Sequence, residues 1–276
     1  MIDSILFRNA SMSTDYNLNN VVNGVGCALK GFEASIESVR HNQQDVPYSP
    51  GLIPTPTTLG RLVVQMEGDV MHNTPTGYWT ERLAFAQQFT SIVPVLTLGE
   101  LKIQMTGQSE VWVLDASLIG PSQIPIGLAG ATISNWRLVL GGNDPWFRGQ
   151  NQQTVQGNPN TNLSLGNFGI GNAPSWPEFL IVGPITNPQI LWQGNTILSM
   201  SSFTVSSGVT VSIKPRYRYI YSGAGSNLYP FIDAIFGWTP FDPRTVGALG
   251  KNVRLNGTGT SGATQLYTYW HNSYTI

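Results

Sequence analysis

Three histidines, a few carboxylates and two glycine-rich stretches are the residues of this 276-residue chain whose types could carry chemistry. His41, His72 and His271 stand far apart, without the i, i+4 spacing that sets two imidazoles on one helix face for a metal. None has a Cys or carboxylate at ligand spacing, and a lone His is more often a surface or hydrogen-bonded core residue. Glycoside hydrolysis needs two acids flanking a sugar bond, and Glu178, Asp233 and Asp242 are the candidates. Asp144 and Asp242 each precede a proline, where Asp commonly opens a turn, and Glu178 stands at a strand start. No residue is therefore assigned to catalysis, to a metal or to a cofactor. Gly166 to Gly171 has a spacing like that of a nucleotide loop, but Pro174 forbids the helix that would have to follow. Gly257 to Gly262 lacks the Lys-Ser/Thr ending of a phosphate cradle, and both stretches read as turns.

Aromatic residues offer a different chemistry. Lys214-Pro-Arg-Tyr-Arg-Tyr-Ile-Tyr221 interleaves bases and rings, as a nucleic-acid or sugar platform would. The plainer reading is a strand with Tyr217, Tyr219 and Tyr221 on one face and Arg216, Arg218 and Ile220 on the other, and that reading is preferred. Trp176, Trp192, Trp238 and Trp270 would stack on sugars if exposed, although a single Trp is more often buried. Cys27 stands alone, which excludes an internal disulfide or a multi-cysteine zinc site and marks it as a core or half-buried residue.

The elements that would have to position such residues are mostly strands. Only 11% of residues are charged, against about 25% in ordinary soluble domains, while Gly (30) and Pro (18) are abundant. Such a chain suits sheets joined by turns, with neutral surfaces that meet other protein surfaces. A net charge of −1 gives no general attraction to nucleic acid or an anionic membrane. The N-terminus lacks a signal-peptide pattern and no run of about 18 apolar residues occurs, which predicts cytoplasmic synthesis and no membrane span. Period-2 patterns predict strands over 2–7, 21–29, 32–39, 61–70, 99–105, 109–116 and 131–141, the last with Ile133, Trp136 and Leu138 on its apolar face. Pro47 to Pro56, with four prolines, reads as a loop and a candidate projecting arm. One helix is predicted over 79–93: Leu83, Ala86, Phe89 and Val93 face a sheet beside Phe85 and Ile92, Glu81, Arg82, Gln87 and Gln88 lie opposite, and Pro94 stops it. Polar residues 151–163 read as a linker between domains at 1–150 and 164–276. Short strands over 196–200, 203–205, 209–213, 216–221, 251–255 and 264–270 complete the second half. The last of these could belong to either domain.

At the start of the second half, Gly171-Asn-Ala-Pro-Ser-Trp-Pro-Glu-Phe-Leu-Ile-Val-Gly-Pro-Ile-Thr-Asn-Pro-Gln-Ile-Leu191 reads as an extended entry, a strand over 178–182 and a proline-built hairpin. This stretch resembles the opening of the C-terminal domain in the distal tail proteins of long non-contractile-tailed bacteriophages. The resemblance lies at Asn172, Pro174, Trp176-Pro177, Ile181, Gly183-Pro184 and Asn187-Pro188, at Trp136 to Phe147 before it and at Arg216 to Tyr219 after it. Lys214 departs from it, standing where the family commonly has an acidic residue.

The resemblance implies a mainly β protein of two β-sandwich domains. The first would be tube-protein-like with one flanking helix, and the second galectin-like or carbohydrate-module-like. It implies a structural virion protein at the tail tip, forming a hexameric ring between the tail tube protein and the hub, baseplate or adhesion proteins, with the tape measure protein as a further contact. No sequence-specific nucleic acid or membrane insertion is implied. Two alternatives stay open: a tail-associated carbohydrate-binding adhesin module, and a glycan-degrading tail enzyme that would need two converging acids.

Overall fold

The computed structural model describes residues 2–10, 12–37, 39–40, 43–45, 52–54, 58–89, 99–120, 123, 130–166, 171–217, 219–235, 241 and 251–275. The protein is mainly β and divides into two compact units, Met1–Arg148 and Gly149–Thr275. The first contains β1 (Ile2–Asn9), β2 (Tyr16–Asn17), β3 (Gly26–Ile36), β4 (Val39–Arg40), β5 (Gln43–Asp45), β6 (Leu52–Pro54), β7 (Thr58–Leu59) and β8 (Leu62–Met71). Helix α1 (Pro75–Phe89) follows, then β9 (Gly99–Met105), β10 (Trp112–Leu118) and β11 (Ile133–Gly142), and β12 (Phe147–Gly157) begins where the unit ends. The pairings β1–β9, β3–β8, β8–β11, β9–β10 and β10–β11 are antiparallel. β8 lies between β3 and β11, and β10 pairs with β11 through its last residues and with β9 through the rest. β9 in turn carries β1.

Two local signals shape the first strands. Asn23 (φ 53°) and Gly24 (φ 77°) form a tight turn that pairs Val22 with Val25, so the expected strand over 21–29 is a small hairpin followed by β3. An Asn-Gly pair, with both residues tolerating positive φ, favours such a turn. Part of the expected loop at Pro47 to Pro56 is a strand, because Leu52–Pro54 pairs with Gln43–Asp45; the rest of that segment lies outside the described residues. In β11 Trp136, Leu138 and Leu140 are buried on one face and Val139 is buried on the other, whereas Ile133, at the start of the strand, is exposed. Ile133 has the opposite parity to Trp136 and Leu138, so period-2 alternation keeps it off their face.

Helix α1 starts four residues earlier than the periodicity suggests. Thr74 caps it: its hydroxyl accepts the Gly77 N–H at 3.2 Å and its carbonyl accepts the Tyr78 N–H at 2.9 Å. Pro75 occupies the first helical position, where no N–H is needed. The earlier start also corrects the buried face. Tyr78, Phe85 and Gln88 are buried and Leu83 is 55% exposed, so Leu83 leaves the expected stripe and Gln88 enters it. The Gln88 side chain is accommodated because its Oε1 accepts the Asn9 N–H at 3.5 Å and its Nε2 donates to Met12 Sδ at 3.1 Å, while Asn9 Nδ2 donates to its backbone carbonyl at 2.9 Å. Phe85 packs on Trp136 with centroids 5.3 Å apart, and Phe89 stacks on Phe7 at 4.7 Å. The expected continuation through Ile92 and Val93 to Pro94 lies outside the described residues.

The second unit continues from β12 with β13 (Leu163–Ser164), β14 (Glu178–Val182), β15 (Ile185–Trp192), β16 (Asn195–Ser199), β17 (Thr204–Val205), β18 (Thr210–Lys214), β19 (Tyr219–Ser222), β20 (Ala234–Ile235), β21 (Asn252–Thr258) and β22 (Gln265–Tyr274). One sheet runs β19-β18-β14-β22-β12, the other β13-β21-β15-β16-β20 with β17 beside β15. Phe179, Ile181, Val211, Ile213 and Leu266 of the first sheet meet Ile185, Ile190, Leu198, Val253 and Leu255 of the second in one core.

Three expectations change here. Residues 151–157, expected in the linker, belong to β12, whose outward positions are neutral polar rather than charged and so hide the strand period. β14 and β15 do not form a hairpin, because β14 pairs with β18 and β22 while β15 pairs with β16, β17 and β21. Asn187 (φ 53°) and Pro188 make an irregularity inside β15, where the Pro188 carbonyl accepts the Met200 N–H, instead of a turn that ends a strand. The final strand, left open by the sequence, belongs to the second unit: β22 pairs with β14, and Asn172 exchanges hydrogen bonds of 3.1 and 2.7 Å with Thr275.

The corrected helix face is testable by equilibrium urea unfolding. Phe85→Ala is expected to cost about 3–5 kcal/mol as a buried aromatic truncation, and Leu83→Ala to stay within about 0.5 kcal/mol as a surface change. Equal losses would restore the expected stripe.

Candidate interaction surfaces

The residues singled out for chemistry are held in separate places. His72 Nδ1 accepts the Thr74 N–H at 3.1 Å beside the start of α1, and His271 Nδ1 lies 2.8 Å from the Gly149 carbonyl, to which it donates. Glu178 pairs with Lys214 at 3.0 Å on one sheet of the second unit. Asp233, beside a strand of the other sheet, accepts the Ser201 backbone N–H, and the Ser201 hydroxyl and amide hold its carboxyl below the ordinary range. The two carboxylates that a glycosidase would need are thus engaged on different sheets. Asp144 lies in a turn whose carbonyl accepts the Leu62 N–H. Trp270 is in the core, Trp192 packs against it and stacks on Phe241 at 4.1 Å, and Trp176 is half-buried. His41, Trp238 and Asp242 lie outside the described residues, as does most of Gly166 to Gly171. Among the described residues no His, Cys, Asp and Glu side chains group as metal ligands, and no helix is long and apolar enough to cross a membrane.

Six of the chain's 29 charged side chains come together on the first unit. β1, β9 and β10 pair so that Arg8 stands opposite Glu100 and Glu100 opposite Asp115. Two carboxylates directly across a sheet repel each other. Arg148 lies between them, 3.3 Å from Glu100 Oε1 and 3.0 Å from Asp115 Oδ1. Burial disfavours its charge, but bonds to Asp115 and Glu100 more than offset that and raise the guanidinium pKa. Lys102, whose side chain is only 11% exposed, reaches both oxygens of Asp15 at 2.9 Å, and Arg8 joins Asp15 to Glu100. Sequence reasoning did not find this lattice, because the bonds that join its three parts, around Arg8, Glu100 and Arg148, link residues 33 to 92 positions apart.

Cys27 is in the core of the same unit. Burial pushes its thiol up to about 12, against a lowering hydrogen bond from Trp136, with Glu81 and Asp69 adding to the rise. Tyr16 is raised as well, chiefly by burial. Asp69, nearly buried, is neutralised by Lys30 at 2.6 Å.

The second unit presents tyrosines on the outer face of its first sheet. Register places Tyr219 opposite Lys214, Lys214 beside Glu178, and Glu178 opposite Tyr269. The next row runs Tyr221, Ser212, Leu180, Tyr267. Tyr219 stacks on Tyr221 with centroids 4.1 Å apart, and Tyr267 lies parallel to Tyr269 at 6.3 Å. The expected strand over 216–221 is shorter: Pro215–Tyr217 is a 3-10 turn with Arg216 over the Tyr217 ring, and Ile220 is fully buried. Proline after Lys214 interrupts the ladder and accounts for the turn.

Compared with solved structures, the chain is similar to the Dit protein of phage SPP1, with a TM-score of 0.57 and 10% identity over 98% of this chain and 99% of that one. The chain has the fold of a distal tail protein. The SPP1 protein is described as a paradigm of hub adsorption apparatus in phages that infect Gram-positive bacteria. Two structures of the phage P2 baseplate in its activated conformation, one with calcium and one with strontium, are similar with TM-scores of 0.44 and 0.42 and 9% identity, over 96% of this chain and 97% of theirs. No protein-family model and no curated protein matches the chain.

Two measurements test these sites in the distal tail fold. Arg148→Met is expected to destabilise the first unit by about 1–3 kcal/mol in low salt. Adding Asp115→Asn should recover part of the loss, and high salt should narrow it; strict additivity of the two changes would dismiss the lattice. For Cys27 the folded state keeps a proton that the unfolded chain releases near its ordinary pKa of about 8.5. Its contribution is full below about 8.5 and is lost as pH rises toward about 12. The urea midpoint should therefore fall with pH above 8.5, less steeply in Cys27→Ala, and Ellman's reagent should label the thiol only on unfolding.

Proposed function

We propose that this protein is a structural component of a phage tail tip, a distal tail protein that closes into a ring, with six copies, between the last ring of the tail tube and the hub or baseplate. The observation that carries this reading is the likeness to the SPP1 Dit fold along the whole of both chains. The first domain, 1–150, forms the ring, and the second, 164–276 with a galectin-like arrangement, faces outward to hold adhesion proteins. The tape measure protein passes through the lumen.

Physical features support a binding role over catalysis. Carboxylates and histidines are tied into separate structural bonds, and surfaces are weakly charged, so little charge has to be desolvated when subunits meet. Ring closure needs a heterologous interface repeated by a fixed rotation. The first unit offers β3, the terminal strand of its sheet, whose second edge has no partner strand among the described residues. Light scattering on the purified protein, followed by negative-stain imaging, is expected to give closed six-fold rings with a lumen. Particles that remain monomeric both at high concentration and in the presence of tail tube protein would overturn the reading.

A further inference from the structure

We propose that the sheet face of the first unit turned away from α1 binds a basic, extended segment of another protein, with one cationic side chain entering a recess over β3, β8 and β11. Phe85 of α1 packs on Trp136, which stands in register with Gly68, so the positions that alternate with these two point to the opposite face. On that face Gly31, Glu67 and Arg137 form one row across the three strands, and Glu33 stands beside Gln65 in the next. These five residues line a recess of about 310 Å³ together with Phe32 and Met66. Gly31 keeps it open, because a Cβ there would lie 2.9 Å from Glu67 Cγ.

The recess has acceptors and lacks their cation. Glu33 and Glu67 are exposed, and neither carboxylate has a hydrogen-bond or ion-pair partner among the described residues. Arg137 stands opposite Glu67 but donates to Gln65 at 3.1 Å. Two residues along β8, Asp69 shows the completed arrangement: Lys30, the residue bulged out of β3, reaches its carboxylate at 2.6 Å. A cation from outside would give Glu33 and Glu67 what Lys30 gives Asp69. The charge of the unit draws such a partner, since residues 1–148 hold twelve Asp and Glu against eight Lys and Arg. The shape suits an extended chain. On this face β3 carries Gly26, Ala28, Gly31, Glu33 and Ser35, four of them small, which leaves a lane along the strand where a backbone can lie close to the sheet. Same-face side chains of an extended segment are about 7 Å apart, as are the Glu67 and Asp69 positions along β8.

This proposal goes beyond the ring and is independent of it, since the recess opens on a sheet face and not at the edge of β3. The test is fluorescence anisotropy of a labelled peptide of alternating Arg and Thr, titrated with the full-length protein. Saturable binding is expected at low salt, weaker as salt rises, and absent when citrulline replaces Arg in the peptide. Glu33→Gln with Glu67→Gln should weaken it by about tenfold or more, with circular dichroism and particle mass unchanged. Asp3→Asn with Glu81→Gln, on β1 and α1, removes the same charge elsewhere and should leave affinity unchanged. Arg137→Met, which takes away a competing cation, should strengthen binding severalfold. Gly31→Val should weaken it while keeping both carboxylates; if that variant fails to fold, the glutamine pair and Arg137→Met decide. No saturable binding, binding indifferent to the glutamine pair, or an equal loss in the control pair would overturn the proposal. So would a fall in particle mass in the glutamine pair, which would assign the face to contact between copies of this chain.

Discussion

At the centre of β11, Trp136 stands in register with Gly68 of β8, and a Cβ on Gly68 would lie 2.6 Å from the indole and 2.0 Å from the Ala28 carbonyl oxygen. The missing side chain lets β3 and the indole approach the middle strand together. The indole then becomes the floor on which Phe85 of α1 rests, and Tyr16 meets Phe85 edge-on at 5.9 Å. From this one placement the helix acquires its rotation, which buries Tyr78 and Gln88 and turns Leu83 to solvent. Packing in a dense interior leaves few alternatives once such a pair is fixed.

Charge is the second constraint, because the chain has so little of it. Six charges are spent on one lattice across β1, β9, β10 and the start of β12, where Arg148 separates two carboxylates that the strand register forces together. The second unit has the Glu178–Lys214 ion pair at the middle of its outer face and surrounds it largely with tyrosine, amide and hydroxyl groups. The two units therefore solve the surface problem differently. One has a fixed, salt-sensitive pattern, the other a neutral plane whose contacts depend on shape and hydrogen bonding.

Where neighbours in sequence decided structure, the sequence was readable. The alternation Leu62, Val64, Met66 gave β8, and the run Glu178 to Val182 gave β14. Thr74-Pro75, a cap followed by proline at the first helical position, could have set the start of α1, but the apolar spacing of Leu83, Ala86 and Phe89 outweighed it. β12 escaped notice because its inward Gln153 is as polar as its outward neighbours, so no period showed. The prolines after β14 looked like hairpin turns, whereas partners more than ten residues away place β14 and β15 in different sheets. The ion lattice and the paired tyrosines depend on register between distant strands, and nothing local in the sequence encodes that.

β22 lies between β14 and β12 and contributes Leu266 and Trp270 to the core of the second unit. It leaves the ribosome roughly a hundred residues after β12. Until then the sheet lacks its middle strand, and β12 and β14 have no common partner. The first unit draws its strands from chain already made and can close during synthesis, as N-terminal domains generally do. The second must wait, holding unpaired strand edges in a crowded cell until β22 arrives, so that the slowest and most aggregation-prone interval of its production falls at the very end of translation of this region.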